Sequence, residues 1–159
     1  MKKKLFRFLL FLLFSFLTFT QLKAEKDIPA PDFRLPDLSG TTVELNSYRN
    51  NQAVLLLFWT TSCPYCLKEI TVINDKKKNL QEKGIEVLAI NAGESKARVE
   101  RMVRNYRLDL EVLLDENVAV ADAYGVLGVP TFVLIDKNGD IIFIGNSYPH
   151  EEIKELVLK

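Results

Sequence analysis

The sequence predicts an α/β domain in which a central mixed β-sheet is flanked by helices, with a β-hairpin extension at the N-terminal side. Three observations carry this expectation. Apolar runs of strand length alternate with stretches of helical periodicity through the middle of the chain. A hairpin signal and a terminal helix follow them. Short alternating segments bounded by turn residues come before the first buried run.

Taken in order, Pro29-Ala30-Pro31 forms a stiff lead-in. Phe33 and Leu35 alternate, Asp37-Leu38-Ser39-Gly40 reads as a turn, and Val43 and Leu45 alternate again, which is the hairpin. Ala53 to Trp59 is continuously apolar, as expected of a strand buried on both faces. A helix should then run to about Lys83, with Cys66, Ile70, Ile73 and Leu80 on one face and Gly84 past its end. Lys76-Lys77-Lys78 read as its solvated side. Ile85 to Ile90 is the next strand. Val99, Met102, Val103 and Tyr106 mark an amphipathic helix whose arginines, Arg98, Arg101, Arg104 and Arg107, read as another solvated face diluted by Glu94 and Glu100. Val112 to Leu114 suggests a short strand and Val118 to Tyr124 a short helix. Thr131 to Ile135 and Ile141 to Ile144 are strands joined through Asn138-Gly139, a strong hairpin turn. Pro149 can open a last helix with Glu151 and Glu152 in its first turn.

The chain has 159 residues, enough for one domain. Residues 1–24 hold five of its 21 Lys and Arg and none of its 21 Asp and Glu, so the remainder carries a net −5. That balance argues against nucleic acid as a partner. The same segment reads as a signal peptide, with a basic start, an apolar run from Phe8 to Leu17 and a cleavage site after Ala24. The competing reading is an uncleaved membrane anchor, against which the run is short. Residues 25–159 then form the domain, in a periplasmic or other extracytoplasmic compartment.

The two cysteines, Cys63 and Cys66, stand three apart where a buried strand meets a helix. A disulfide there closes too short a loop to stabilise much, so its use is chemical rather than structural. Residues so spaced at a helix start lie within disulfide reach. With Cys63 as N-cap, its sulfur meets unpaired N–H groups and the positive end of the helix dipole, which favour the thiolate. Pro64 at the first helical position has no N–H to leave unpaired. Cys63 is therefore expected to attack and Cys66 to resolve. A static disulfide and a metal site compete with this reading. The metal site lacks further soft ligands, the single His150 being remote, and no metal or other cofactor is expected. Gly128-Val129-Pro130-Thr131-Phe132 is the second feature: Pro130 belongs at the start of a strand and is of the type that permits a cis bond.

In that order, APDFRLPDLSG, LLLFWTTSCPYC, LLDE and AYGVLGVPTFVLID resemble the TlpA/ResA-like family of exported thioredoxin-fold proteins over nearly everything after the signal. The resemblance implies a thioredoxin-like fold and a redox disulfide between Cys63 and Cys66. It implies that Pro130 is a cis-proline facing them, that Val129 pairs its backbone with an extended substrate, and that Trp59 shields the site. Pro64 and Tyr65 would meet substrate between the cysteines. Glu69 matches an acidic residue that ResA-like members use near the active site, where it can exchange a proton with Cys66. The competing reading makes it a first-turn acid favoured by the helix dipole.

Two departures stand out. Leu57 occupies the place of the buried Asp of cytoplasmic thioredoxins, and Pro64-Tyr65 is a dipeptide better known from glutaredoxins. The second leaves the direction of electron flow open. The function implied is that of a monomeric reductase of disulfides in exported proteins, apocytochrome c among the candidates, fed by a membrane thiol reductase. A peroxiredoxin-like peroxidase is the first alternative. Thr60 and Cys63 fit its T-x-x-C pattern, but Leu56 stands where such enzymes need proline. The second alternative is a non-catalytic module that binds a metal or a partner.

Overall fold

The computed structural model describes residues 28–158. The expected signal peptide, its cleavage after Ala24 and the start of the domain at Glu25 lie outside the described residues. Among the described residues no helix is long and apolar enough to cross a membrane.

The sheet is organised around β3 (Ala53–Trp59), whose seven residues are all buried. Its alternating side chains supply two cores. Ala53, Leu55, Leu57 and Trp59 face one side, while Val54, Leu56 and Phe58 face the other. An apolar run without polar alternation requires cover on both faces, and burial of each large side chain is worth roughly 1.5–3 kcal/mol. On the first face lie α1 (Pro64–Glu82), α2 (Lys96–Tyr106) and α4 (His150–Leu158), through Ile70, Ile73, Leu80, Val99 and Ile153. The second face is covered by the hairpin of β1 (Arg34–Pro36) and β2 (Thr42–Glu44), by the 3₁₀ turn Leu45–Tyr48, and by α3 (Ala119–Ala123).

The five-stranded sheet has the order β5-β4-β3-β6-β7, with β4 (Ile85–Ala92), β5 (Glu111–Asp115), β6 (Thr131–Ile135) and β7 (Ile141–Gly145). β4 lies parallel to β3 with Asn91 opposite Trp59, and β6 lies antiparallel with Thr131 opposite Phe58. Both registers bear on the site. The exits of β3 and β4 and the entrance of β6 meet at one edge of the sheet, so residues 60–63, 93–94 and 128–130 become neighbours.

The expected mixed sheet, flanking helices and N-terminal hairpin are all present. Gly84, at φ +73°, turns the chain out of α1 in the left-handed region that glycine adopts without strain. The expected solvated lysine run is corrected in part, because Lys76 and Lys77 are only partly exposed and Lys78 alone of the three is exposed. Lys77 donates to the backbone carbonyl and, at 3.2 Å, to the carboxylate of Asp109, and Lys76 stands 5.7 Å from the centre of the Tyr148 ring. Long aliphatic stems let these cations cover apolar surface while reaching polar partners.

Candidate active site

Cys63 ends the loop between β3 and α1 and is the N-cap of that helix, in extended backbone geometry (φ −95°, ψ 109°). Its sulfur accepts the backbone N–H of Cys66 at 3.1 Å, satisfying one of the donors a helix start leaves unpaired. Pro64 follows as the first helical residue. The Cys63 thiol in turn donates to the carbonyl of Val129 at 3.6 Å. The two cysteines are free thiols in unequal surroundings: Cys63 is half-buried at the rim, and Cys66 has no exposed surface. Burial pushes the Cys66 thiol up to about 12. Its hydrogen bond with Cys63 and that sulfur's charge add to the effect, against backbone hydrogen bonds that lower it.

The Val129–Pro130 bond is cis. The loop carrying it is pinned from two sides. Thr131 Oγ1 donates to the Gly128 carbonyl at 2.6 Å, and Asn146 Nδ2 donates to the Pro130 carbonyl at 2.8 Å. Tyr65, two residues after Cys63, and Leu127, two before Val129, stand out from the surface at 77% and 102% exposure. Trp59 is fully buried in the same core as Cys66. Glu69 is half-buried on α1, one turn beyond Cys66. It lies past the first turn of that helix, which contains no acid, so the helix-dipole reading of Glu69 is corrected.

Glu94, expected from the sequence only to dilute the arginine face, stands at the site instead. It follows Gly93 at the exit of β4, and its carboxylate, 11% exposed, collects three hydrogen bonds and an ion pair with Arg98. Thr61 gives its backbone N–H to Oε2 at 2.6 Å and its hydroxyl to Oε1 at 2.6 Å. Asn91 Nδ2 gives 2.8 Å and Arg98 Nε 3.1 Å. Burial works to raise its pKa. The hydrogen bonds from Thr61 and Asn91, with the Arg98 charge, outweigh that and hold the carboxyl below the usual glutamate range. Arg98 stays on the solvated face expected of α2, 54% exposed, while its Nε reaches this carboxylate. The trace in sequence was a Gly-Glu pair after a buried strand, which gives no hint of a partner 33 positions earlier.

A family model for the AhpC/TSA family matches residues 27–144. The thiol-disulfide oxidoreductase ResA of Geobacillus thermodenitrificans is 39% identical over 127 residues, covering 79% of this chain and 72% of its own length. The chain belongs to the AhpC/TSA family, among its ResA-like thiol–disulfide oxidoreductases. ResA of Bacillus thuringiensis agrees, with 35% identity over 138 residues, 86% of this chain and 79% of that protein. A Chlorobium tepidum protein assigned as the thiol:disulfide interchange protein DsbE superposes with a TM-score of 0.73 at 27% identity, covering 84% of this chain and 96% of that one. This ResA-like chain thus has the thioredoxin-like fold that its motifs implied, and it is an oxidoreductase.

Proposed function

We propose that Cys63 and Cys66 are the redox dithiol of this oxidoreductase, and that it reduces disulfides of exported proteins outside the cytoplasm. The observation that carries the reading is the inequality of the two sulfurs: a capped, accessible Cys63 and a fully buried Cys66 bonded to it through its own N–H. Cys63 attacks one sulfur of the substrate disulfide as the thiolate, forming a mixed disulfide and expelling one substrate thiolate. Cys66 then gives up its proton and attacks the sulfur of Cys63, expelling the second substrate thiolate and leaving the Cys63–Cys66 disulfide. Two electrons pass to the substrate. A membrane thiol reductase returns them.

The high proton affinity of Cys66 suits this order of events. Two of the influences that raise it, the hydrogen bond with Cys63 and the charge on that sulfur, require Cys63 to be free. Once Cys63 is bonded to substrate, they lapse and the resolving thiol is easier to ionise. Glu69, half-buried a turn away, is the base proposed to take that proton. Val129 offers its backbone beside Cys63 for an extended substrate, Pro64 and Tyr65 follow Cys63 and Pro130 follows Val129 as further substrate contacts, and Trp59 lies in the core that Cys63 packs against. Residues 1–24 direct export, by cleavage or as an anchor, and apocytochrome c is the substrate class that the ResA and DsbE names of the relatives suggest.

The experiment is mixed-disulfide trapping with Cys66→Ser in cells, followed by identification of what is trapped. Recovery of apocytochromes supports maturation of cytochrome c. A broad set of secreted proteins points to a general reductase or an oxidase. If nothing is trapped and insulin disulfide reduction persists, the dithiol assignment fails.

A further inference from the structure

We propose that Glu94, together with Arg98, is a positioning residue for Cys63, acting through Thr61. This rests on the role of Cys63 as the attacking sulfur.

Three residues, Thr60, Thr61 and Ser62, separate the buried end of β3 from Cys63. Their geometry decides how the cap enters α1, because the Cys63 N–H is held by the Thr60 carbonyl at 3.4 Å. Thr61 is the member of the three with a firm hold. Its backbone N–H and its hydroxyl both end on Glu94, and its hydroxyl oxygen accepts Arg98 Nε at 2.9 Å. Both the main chain and the side chain of Thr61 are therefore fixed at one carboxylate.

That carboxylate is itself fixed. Asn91, at the end of β4 and directly opposite Trp59, donates to it, and Arg98 reaches it from the first turn of α2. Gly93 makes the turn that aims Glu94 at the loop. It lies at φ +77°, its N–H is held by the Asp115 carbonyl at 2.9 Å, and an added Cβ would stand 3.2 Å from Val118 Cγ1. The loop after β3, the end of β4 and the start of α2 thus converge on the Glu94 carboxylate, which holds Thr61, two residues before the nucleophile.

An unpaired carboxylate in so enclosed a place costs several kcal/mol. A bare negative charge close to Cys63 would also oppose the thiolate. Arg98 offsets that charge, and the three donors from Thr61 and Asn91 satisfy the oxygens. What remains is orientation: the clamp keeps Cys63 extended, with its sulfur on the Cys66 N–H and under the helix dipole. Without the clamp the loop is held by its neighbours alone, and the sulfur loses part of that stabilisation.

Position and charge predict opposite signs, which makes the assignment testable. The readout is the rate of Cys63 alkylation by iodoacetamide as a function of pH in the reduced, full-length protein. Glu94→Ala is expected to slow it at neutral pH by about tenfold and to move the profile up by about one pH unit. Glu94→Gln should fall in between, because its amide oxygen still accepts the Thr61 N–H. If both variants instead accelerate alkylation equally, Glu94 acts by charge and the proposal is overturned. An unchanged profile with a lower Tm overturns it too, leaving a purely structural clamp. Should Glu94→Ala not fold, Glu94→Asp replaces it: the charge is kept, the reach to Thr61 is lost, and a wild-type profile is the refuting result. Trapping by Cys66→Ser reads disulfide exchange instead of Cys63 reactivity, so a failure of the dithiol reading and a failure of the clamp are separable.

Discussion

Cys63 and Cys66 share a motif and a helical turn, yet the structure gives them different solvent and different partners. Cys66 has no exposed surface, and burial pushes its thiol up to about 12, so at neutral pH it is protonated and out of reach. Cys63 is half-buried at the rim, with its sulfur at the helix start. A limiting amount of iodoacetamide added to the reduced protein near neutral pH should therefore label Cys63 and spare Cys66. Peptide mass mapping checks this. Labelling of Cys66 at a comparable rate would mean that α1 opens readily at its first turn and that the inequality between the sulfurs is not maintained in solution. The same scale exposes the limits of reading a sequence. Cys63, Pro64 and Cys66 were legible because a helix start converts three-residue spacing into contact, whatever lies elsewhere. Glu94 was not, since its contacts to Thr61 depend on the parallel register of β3 and β4 and on one left-handed glycine between them.

Among the elements, the N-terminal hairpin illustrates how an add-on joins a core. Among the described residues β1 and β2 pair with each other as a two-stranded sheet, and a bridge from Asp37 to Leu113 ties the hairpin to the edge strand β5. The attachment is made mostly by side chains. Phe33 and Leu35 enter the second core, Phe33 meets the Tyr124 ring edge-on at 6.4 Å, and the Tyr124 hydroxyl donates to the Pro31 carbonyl at 2.7 Å. Tyr124→Phe keeps the aromatic packing and removes only the hydrogen bond, so it should cost about 1 kcal/mol in urea unfolding. A loss near zero would show that the lead-in is held by its backbone bonds to Gly139 and Ile141 and by the packing of Ala30 and Phe33. Asp115 fixes the neighbouring element. Its fully buried carboxylate accepts the Ala121 N–H at 2.8 Å and the Val120 N–H at 3.2 Å, holding α3 against the end of β5. The hairpin and the strands could be read from alternation and turn residues, which are local. The roles of Tyr124 and Asp115 could not, since each contact joins segments the sequence keeps apart or leaves without a periodic mark.

For the whole molecule, the acidity of one buried thiol couples folding to the redox state. The unfolded chain releases the proton of Cys66 near the ordinary value of 9.0, and the folded, reduced chain holds it up to about 12. Between these values the native state binds more protons than the unfolded state, so the stability of the reduced form is complete below the lower value and falls as pH rises toward the upper one. In the oxidised form the thiol is gone, and with it this dependence. Tyr48 and Tyr148, both raised by burial, also titrate in alkaline solution. They do so in either redox state and largely cancel when the two are compared. The short loop closed by the disulfide adds an offset that does not vary with pH. Denaturant unfolding of the oxidised and reduced proteins should therefore give a stability difference that turns increasingly toward the oxidised form from about pH 9 upward. A difference that stays constant through about pH 11 would show that Cys66 ionises in the folded protein as readily as in the unfolded chain. The burial of the resolving sulfur would then have no thermodynamic consequence, and the order of attack and resolution would have to rest on geometry alone.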